Sequence, residues 1–200
     1  VAPEWRPGFQ DYQRRLARQY TLLAAWVALV MIPLFQISDW WIDPAIRGLW
    51  GYHLLIRLPP FLLALVALWL HYRRPNEAWP RIMAITLGLT VMLMMTGLFA
   101  LHLLLESPAM DLMVRGLIMT TAAVAIVATF GIRDLVVIYG IPFTGLLFVL
   151  ATSGTGFIRA TELMIHPLMM AVIGCDIAEV LLRSRVRAFN DRQRLRHNAM

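Results

Sequence analysis

The sequence predicts an all-α, polytopic membrane protein. Sixty per cent of its 200 residues are hydrophobic and 15% are charged, whereas soluble domains are about 45–50% apolar and about a quarter charged. The apolar residues also occur in runs of about 20, the length with which an α-helix crosses the hydrocarbon core of a bilayer. This composition excludes a soluble globular domain.

Six segments have the length and composition of a transmembrane helix. Prolines lie inside the second and fifth of them, where a membrane helix accommodates proline as a bend because neighbouring groups satisfy the freed carbonyls. The six predicted spans cover residues 20–38, 54–71, 82–105, 110–130, 135–152 and 161–182.

The distribution of arginine predicts the orientation of the spans. If the amino terminus is cytoplasmic, fourteen of the 18 basic residues fall in cytoplasmic segments; Arg47 and Arg159 fall outside, and Arg57 and Arg115 lie within spans. Cytoplasmic loops of membrane proteins are enriched in basic residues, so both termini are predicted to be cytoplasmic. The net charge of +6 therefore reflects topology and does not indicate a nucleic-acid partner.

The chain is predicted to have three parts: a cytoplasmic amphipathic segment 1–19, a six-helix membrane domain 20–182 and a cytoplasmic signalling helix 183–200. The last helix is expected to start at Thr161 and to continue unbroken to about residue 195. Its apolar stripe either pairs with a second copy of the chain or belongs to a basic tail that lies on anionic lipid. The stripe comprises Leu181, Leu182, Val186, Phe189 and Leu195.

Polar residues predicted at one depth in the outer half of the membrane form a candidate ligand or cofactor site. Charged groups inside a bilayer are costly and therefore indicate function. The three histidines are potential metal ligands, and two of them would suffice to hold a b-type haem. Alternatively, they hydrogen-bond to carbonyls or lie at the interface. The candidate residues are His53, Arg57, His102, Arg115 and His166.

Two further groups of polar residues suggest structural roles. Asp176 and Glu179 lie in the inner half of the last span and are expected either to pair with Arg183 or Arg81, or to form a polar hinge that transmits a signal. At the first hairpin, Asp39 or Asp43 is expected to face Arg57 as a partly buried ion pair.

No enzyme active site is recognisable in the sequence. It has no P-loop, no Ser/His/Asp arrangement within reach of water, and no pair of interrupted helices in matching halves of the kind found in transporters. The single cysteine, Cys175, excludes a disulfide within the chain.

The stretch "FQISDWWIDPAIRGLWGYHLLIRLPP" resembles the six-helix membrane input domain that precedes GGDEF diguanylate cyclases, class III adenylate cyclases and some histidine kinases in bacteria. The resemblance implies a sensory domain of the bacterial cytoplasmic membrane that anchors, dimerises and regulates a cytoplasmic nucleotide cyclase located after residue 200. A haem or redox membrane protein, or a histidine-kinase sensor of a small lipophilic signal, are the alternatives. The matching residues are Ser38, Asp39, Trp40, Arg57, Leu58 and Pro59.

Overall fold

The computed structural model describes residues 6–42, 44–74, 79–127 and 131–198. Within these ranges the regular structure is entirely helical, as predicted. Six long helices and one single-turn helix follow each other along the chain. They are α1 (Arg6–Ile42), α2 (Pro44–Arg47), α3 (Trp50–Arg73), α4 (Trp79–Leu104), α5 (Met110–Val127), α6 (Ile132–Thr152) and α7 (Phe157–Asn198).

Five helices in the described part of the chain are long and apolar enough to cross a membrane: α1, α3, α4, α6 and α7. The remaining long helix, α5, has 18 residues and coincides with the predicted fourth span, whose last residues, 128–130, lie outside the described part. The predicted membrane location is therefore supported by the helices themselves.

The surface of the helices is apolar. Side chains such as Trp41, Phe148 and Val172 are 74%, 69% and 65% exposed. Monomeric soluble proteins rarely expose large contiguous apolar patches, whereas the hydrocarbon core of a bilayer accepts them without cost. The exposed apolar surface therefore agrees with a lipid-facing exterior.

The central helix of the bundle is α4, which contacts α1, α3, α5 and α6, while α7 packs mainly on α5. The core lies between these helices, and the side chains with almost no exposed surface include Met92, Leu98, Phe99, Leu117, Leu135 and Leu146. The chain reversals between α1 and α3, α4 and α5, and α6 and α7 lie at one end of the bundle, here called the hairpin end. The start of α1 and the end of α7 lie at the opposite, terminal end.

Prolines do not interrupt the helices. Helical structure continues through Pro33 in α1, Pro59 and Pro60 in α3, Pro142 in α6 and Pro167 in α7.

The last helix begins four residues earlier than predicted. The backbone N–H of Ala160 donates to the carbonyl of Gly156, so the first helical turn forms before Thr161. The Thr161 hydroxyl donates to the Phe157 carbonyl one turn back and does not cap the helix. The expectation that Thr161 starts the helix is therefore wrong, because its hydroxyl bonds within an existing turn.

The end of α7 packs against the start of α1 in the same chain. The ring of Phe189 lies 5.2 Å from that of Phe9 and 5.8 Å from that of Tyr12, and the Arg185 guanidinium lies 5.2 Å from the Tyr20 ring centroid. Phe189 is thereby buried. The expectation that Phe189 is available to a second copy is wrong, since α1 of its own chain already covers it.

Helix α7 packs closely on α5 at Gly174. A Cβ atom at this position would lie 2.9 Å from the Cβ of Ala125 and 3.2 Å from the hydroxyl of Tyr139. We expect Gly174→Ala to destabilise the protein by about 1–3 kcal/mol, the usual cost of overpacking. Gly140→Ala in α6 is the matched control, since a Cβ there meets nothing within 4 Å. Denaturation of both variants in detergent micelles measures the effect, and equal stability of the two would contradict the close contact.

Candidate functional site

A buried polar cluster joins α1, α3 and α4 near the hairpin end. Helix α1 contributes Gln36 and Asp39, which are three residues apart, and α3 contributes His53 and Arg57, which are four apart. Both spacings place the two side chains on one helix face. His102 comes from the last turn of α4. All five side chains are buried, and the two histidines are fully buried.

A chain of short hydrogen bonds runs through the two histidines. The Nδ1 atom of His53 lies 2.9 Å from Oδ2 of Asp39, and its Nε2 atom lies 2.8 Å from Nε2 of His102. Since one bond links α1 to α3 and the other links α3 to α4, the chain fixes the relative positions of three helices.

Arg57 links the cluster to the two polar residues of α1. Its guanidinium donates to Oδ2 of Asp39 at 2.6 Å and to Oε1 of Gln36 at 2.7 Å. The predicted ion pair between Asp39 and Arg57 is thus present, and it is more deeply buried than expected, with both side chains only 7% exposed. The alternative partner, Asp43, lies outside the described residues.

The hydrogen bonds determine where the protons are. The carboxylate of Asp39 accepts, so Nδ1 of His53 carries a proton. In a neutral His53 ring, Nε2 is then an acceptor and Nε2 of His102 must be the donor. One proton therefore lies between the two Nε2 atoms.

Such a cluster is costly to bury and depends on complete pairing. Removing a charge from water costs several kcal/mol, and only close partners compensate for it. Ionisable groups at membrane depth are therefore usually functional, which makes this cluster the strongest candidate site in the described part of the chain.

The structure brings together three of the five predicted site residues. His53, Arg57 and His102 meet in the cluster. His166 is exposed on α7 and Arg115 is exposed on α5, so neither contributes to it. The predicted five-residue pocket is to this extent wrong.

The histidine pair does not fit a metal or haem between its rings. Metal–imidazole bonds of about 2.0–2.1 Å place two ligating nitrogens on opposite sides of a metal about 4 Å apart, but the two Nε2 atoms are 2.8 Å apart. Nδ1 of His53 is engaged by Asp39, and His166 lies elsewhere. Among the residues the structure describes, no group of three or more His, Cys, Asp or Glu side chains is arranged to hold a metal ion.

A polar pocket of about 390 Å³ adjoins the cluster at the hairpin end. It lies between the α4–α5 and α6–α7 reversals, and His102 forms part of its wall. The exposed side chains of Glu106 and Arg159 line its mouth, together with Ser107 and Thr155. Its volume falls in the range of small-molecule sites.

A second, apolar cleft of about 790 Å³ lies between α6 and α7. Leu147 and Leu150 line it from α6, and Met164, Leu168 and Val172 line it from α7. Its lining is almost entirely apolar.

One of the two acids in the second half of α7 forms a local ion pair. The Glu179 carboxylate accepts from Nε of Arg183 at 3.0 Å. Arg183 is one of the two partners expected from the sequence. Arg81 is not a partner of these acids, however. It forms an ion pair at 3.0 Å with Asp134, an acid in the first turn of α6. Asp176 is exposed.

Sequence reasoning missed Gln36 and Glu106. Gln36 could have been found, because it lies one turn before Asp39 on the same face of α1 and inside an apolar run. Glu106 lies in a turn with φ of 48°, and its place at the pocket depends on how distant reversals meet, which local sequence does not encode.

Comparisons of the chain with models of known protein families, with curated proteins and with solved structures find no match. The fold and the buried cluster together define an all-α membrane protein with a polar site near one end of its bundle.

Proposed function

We propose that this chain is a membrane-embedded sensory input domain that regulates a cytoplasmic nucleotide cyclase, a diguanylate or adenylate cyclase. The observation that carries the proposal is helix α7, which runs without a break from the polar pocket, where Arg159 and Leu163 contribute to the lining, to the terminal end of the bundle. A single rigid element therefore connects the candidate site with the place where an output domain would be attached.

The length of α7 supports this role. Its 42 residues span about 63 Å at 1.5 Å per residue, about twice the thickness of the hydrocarbon core. This length supports the proposal that part of the helix extends beyond the membrane. The arginine-rich part starting at Arg183 is the natural candidate, because charged side chains avoid lipid.

Helix α1 has 37 residues and is likewise longer than a single crossing requires. Its start contacts the end of α7 through Phe9, Tyr12 and Phe189. We call these two paired helix ends, residues 6–18 and 183–195, the stalk. The contact between the two helix ends in the stalk supports an even number of crossings, and we propose six, with α5 as the sixth. The arginines of the stalk support the proposal that it lies in the cytoplasm, because basic residues are enriched on that side of membrane proteins.

In the proposed mechanism, an event at the hairpin end shifts the equilibrium between two packings of the helices. Helix α7 transmits the shift as a rotation or a register change, and Asp176, Glu179 and Arg183 lie along its path to the stalk. Nucleotide cyclases of the families that the chain resembles assemble their active sites between two chains, so the proposal includes a homodimer.

The apolar cleft favours a second candidate function, a histidine-kinase sensor of a small lipophilic signal. In that case the signal would enter from the bilayer between α6 and α7 and contact residues such as Met164 and Leu168. Replacing Ala160, which also lines the cleft, with tryptophan would then abolish the response and leave the polar cluster intact.

The proposal is tested by measuring cyclase activity in membranes that contain the full-length gene product and its His102→Gln variant. A hydrogen bond contributes about 0.5–1.5 kcal/mol. Glutamine can keep a donor to His53 but lacks the imidazole ring, so the altered His53–His102 contact should change the activity by up to about tenfold. His166→Gln on the exposed face of α7 is the control and should have no effect. Absence of cyclase activity, or a correctly folded His102→Gln variant with unchanged activity, would contradict the proposal.

A further inference from the structure

We propose that the polar pocket at the hairpin end and the apolar cleft between α6 and α7 together bind one phospholipid of the surrounding bilayer, whose headgroup carries a phosphate and a primary ammonium. Glu106 and Arg159, which line the pocket, bind the ammonium and the phosphate, respectively, and one acyl chain lies in the cleft. The inference goes beyond the proposed function and does not depend on it, since lipid binding requires only residues of this chain.

The two cavities adjoin at the reversal between α6 and α7. Thr155 lies in this reversal and lines both of them. At the start of α7, Arg159 lines the pocket, whereas its neighbour Ala160 lines the cleft. A ligand that occupies both cavities must therefore be polar at the hairpin end and apolar toward the middle of the bundle, as a phospholipid is.

The cleft is long enough for the hydrocarbon of one leaflet. Its lining on α7 runs from Phe157 to Ile173, sixteen residues further on, which corresponds to about 24 Å at 1.5 Å per residue. One leaflet contributes about half of the hydrocarbon core, which is roughly 30 Å thick. Because lining side chains such as Leu147 and Val172 are exposed, the cleft is open to the surrounding lipid, and an acyl chain from the leaflet at the hairpin end can lie along it.

Two opposite charges at the pocket determine which headgroup fits. Glu106 and Arg159 are both exposed and line the same pocket, so a zwitterionic headgroup satisfies both, whereas an anionic headgroup leaves the carboxylate without a partner. A primary ammonium donates N–H groups to a carboxylate in charge-assisted hydrogen bonds, which the quaternary ammonium of a choline headgroup cannot do. The pocket therefore favours an ethanolamine-type headgroup over choline and glycerol headgroups.

The existing partner of Arg159 does not prevent phosphate binding. Its Nη1 atom lies 3.4 Å from Oε2 of Glu162, and both side chains are 59% exposed. Exposed ion pairs of this kind contribute little to stability. Because a guanidinium has five N–H donors, a phosphate can bind Arg159 while its contact with Glu162 persists.

The backbone conformation of Glu106 also supports a role for its side chain. At the end of α4 the N–H of Ser107 donates to the carbonyl of His102, and the N–H of Glu106 donates to the carbonyl of Leu103. This pair of bonds is a Schellman motif, and it places Glu106, with φ of 48°, at the position where glycine is usual. A side chain in this conformation is unfavourable, and strained residues of this kind cluster at ligand-binding sites.

The test is native mass spectrometry of the chain released from mixed micelles that contain equal amounts of phosphatidylethanolamine, phosphatidylcholine and phosphatidylglycerol with identical acyl chains. We expect phosphatidylethanolamine to be enriched among the retained lipids by roughly two- to fivefold over each of the other two, the contribution of an exposed ion pair. Equal retention of the three lipids, or enrichment of either of the other two, would overturn the proposal.

A pair of variants tests the headgroup contact. Glu106→Gln removes the charged partner of the ammonium and should abolish the enrichment of phosphatidylethanolamine. Asp111→Asn is the matched control, because Asp111 is an exposed carboxylate near the same reversal that does not line the pocket; this variant should retain the enrichment. The assignment of Glu106 is wrong if the enrichment persists in Glu106→Gln, or if both variants lose it equally.

A second pair of variants tests the cleft. Ala151→Trp places a large ring in the cleft from an exposed position and should reduce the amount of retained phosphatidylethanolamine several-fold. Thr152→Trp is its control, since Thr152 is exposed and does not line the cleft. Glycerophosphoethanolamine, which has the headgroup without acyl chains, should not displace the lipid at equal concentration. Displacement by this compound, or unchanged retention in Ala151→Trp, would show that the acyl chain does not contribute and would contradict the proposal.

Discussion

Replacing Asp39 with alanine is expected to destabilise the protein by about 3–5 kcal/mol, the typical cost of leaving one partner of a buried ion pair uncompensated. Asp39 is the carboxylate on which the cluster depends, because one of its oxygens accepts from both His53 and Arg57. Without it, the buried Arg57 guanidinium retains Gln36, a neutral acceptor.

Denaturation of the purified protein in mixed micelles measures the loss of stability. Asp111→Ala is the control, because Asp111 is an exposed carboxylate at the start of α5 and its loss should change stability by less than about 0.5 kcal/mol. The double variant Asp39→Ala/Arg57→Met should recover most of the stability, since it removes both charges. If the double variant were no more stable than Asp39→Ala, the loss would come from packing and not from the uncompensated charge.

The sequence predicted the α1–α3 corner correctly because the evidence there is local. Asp39 and Arg57 lie on either side of one short reversal, and each is a charged residue inside or beside an apolar span, where a partner is almost obligatory. His53 is one turn from Arg57 on the same helix face, so its place in the cluster follows once the pair exists.

The position of His166 could not be predicted in the same way. Counting residues along a span gives depth, but a common depth does not show that side chains face each other. In a membrane helix, the faces toward lipid and toward protein are both apolar, so the sequence of α7 does not reveal which side is buried. The structure buries Leu163, Met164 and Ala171, and His166 falls on the exposed side of α7.

The continuity of α7 was predictable, whereas its partner at the stalk was not. The absence of a breaker between residues 168 and 198 is a property of the sequence itself, but the contact of Phe189 with Phe9 and Tyr12 joins residues about 180 positions apart. The apolar stripe of α7 could be buried equally well by a second copy of the chain or by the chain's own α1. Which of the two covers it depends on the arrangement of all the helices.

Replacing Phe189 with alanine should release the end of α7 from α1 without disturbing the rest of the bundle. Burial of a phenylalanine side chain stabilises by about 1.5–3 kcal/mol, and a loss of about 2 kcal/mol raises the population of the detached stalk roughly thirtyfold. A further link, the contact between Arg185 and Tyr20, contributes about 0.5–1 kcal/mol at an exposed site and is too weak to replace the Phe189 contact.

Trypsin digestion of the protein in nanodiscs measures this release, because trypsin cleaves after arginine and residues 183–196 include six arginines. When opening is faster than cleavage, the cleavage rate follows the detached population, so Phe189→Ala should be cut in this segment roughly thirty times faster. Leu195→Ala is the matched control on the same helix, since Leu195 is 70% exposed and should be cut at the unaltered rate. Equal rates for the two variants would mean that the stalk is held by contacts other than the Phe189 ring.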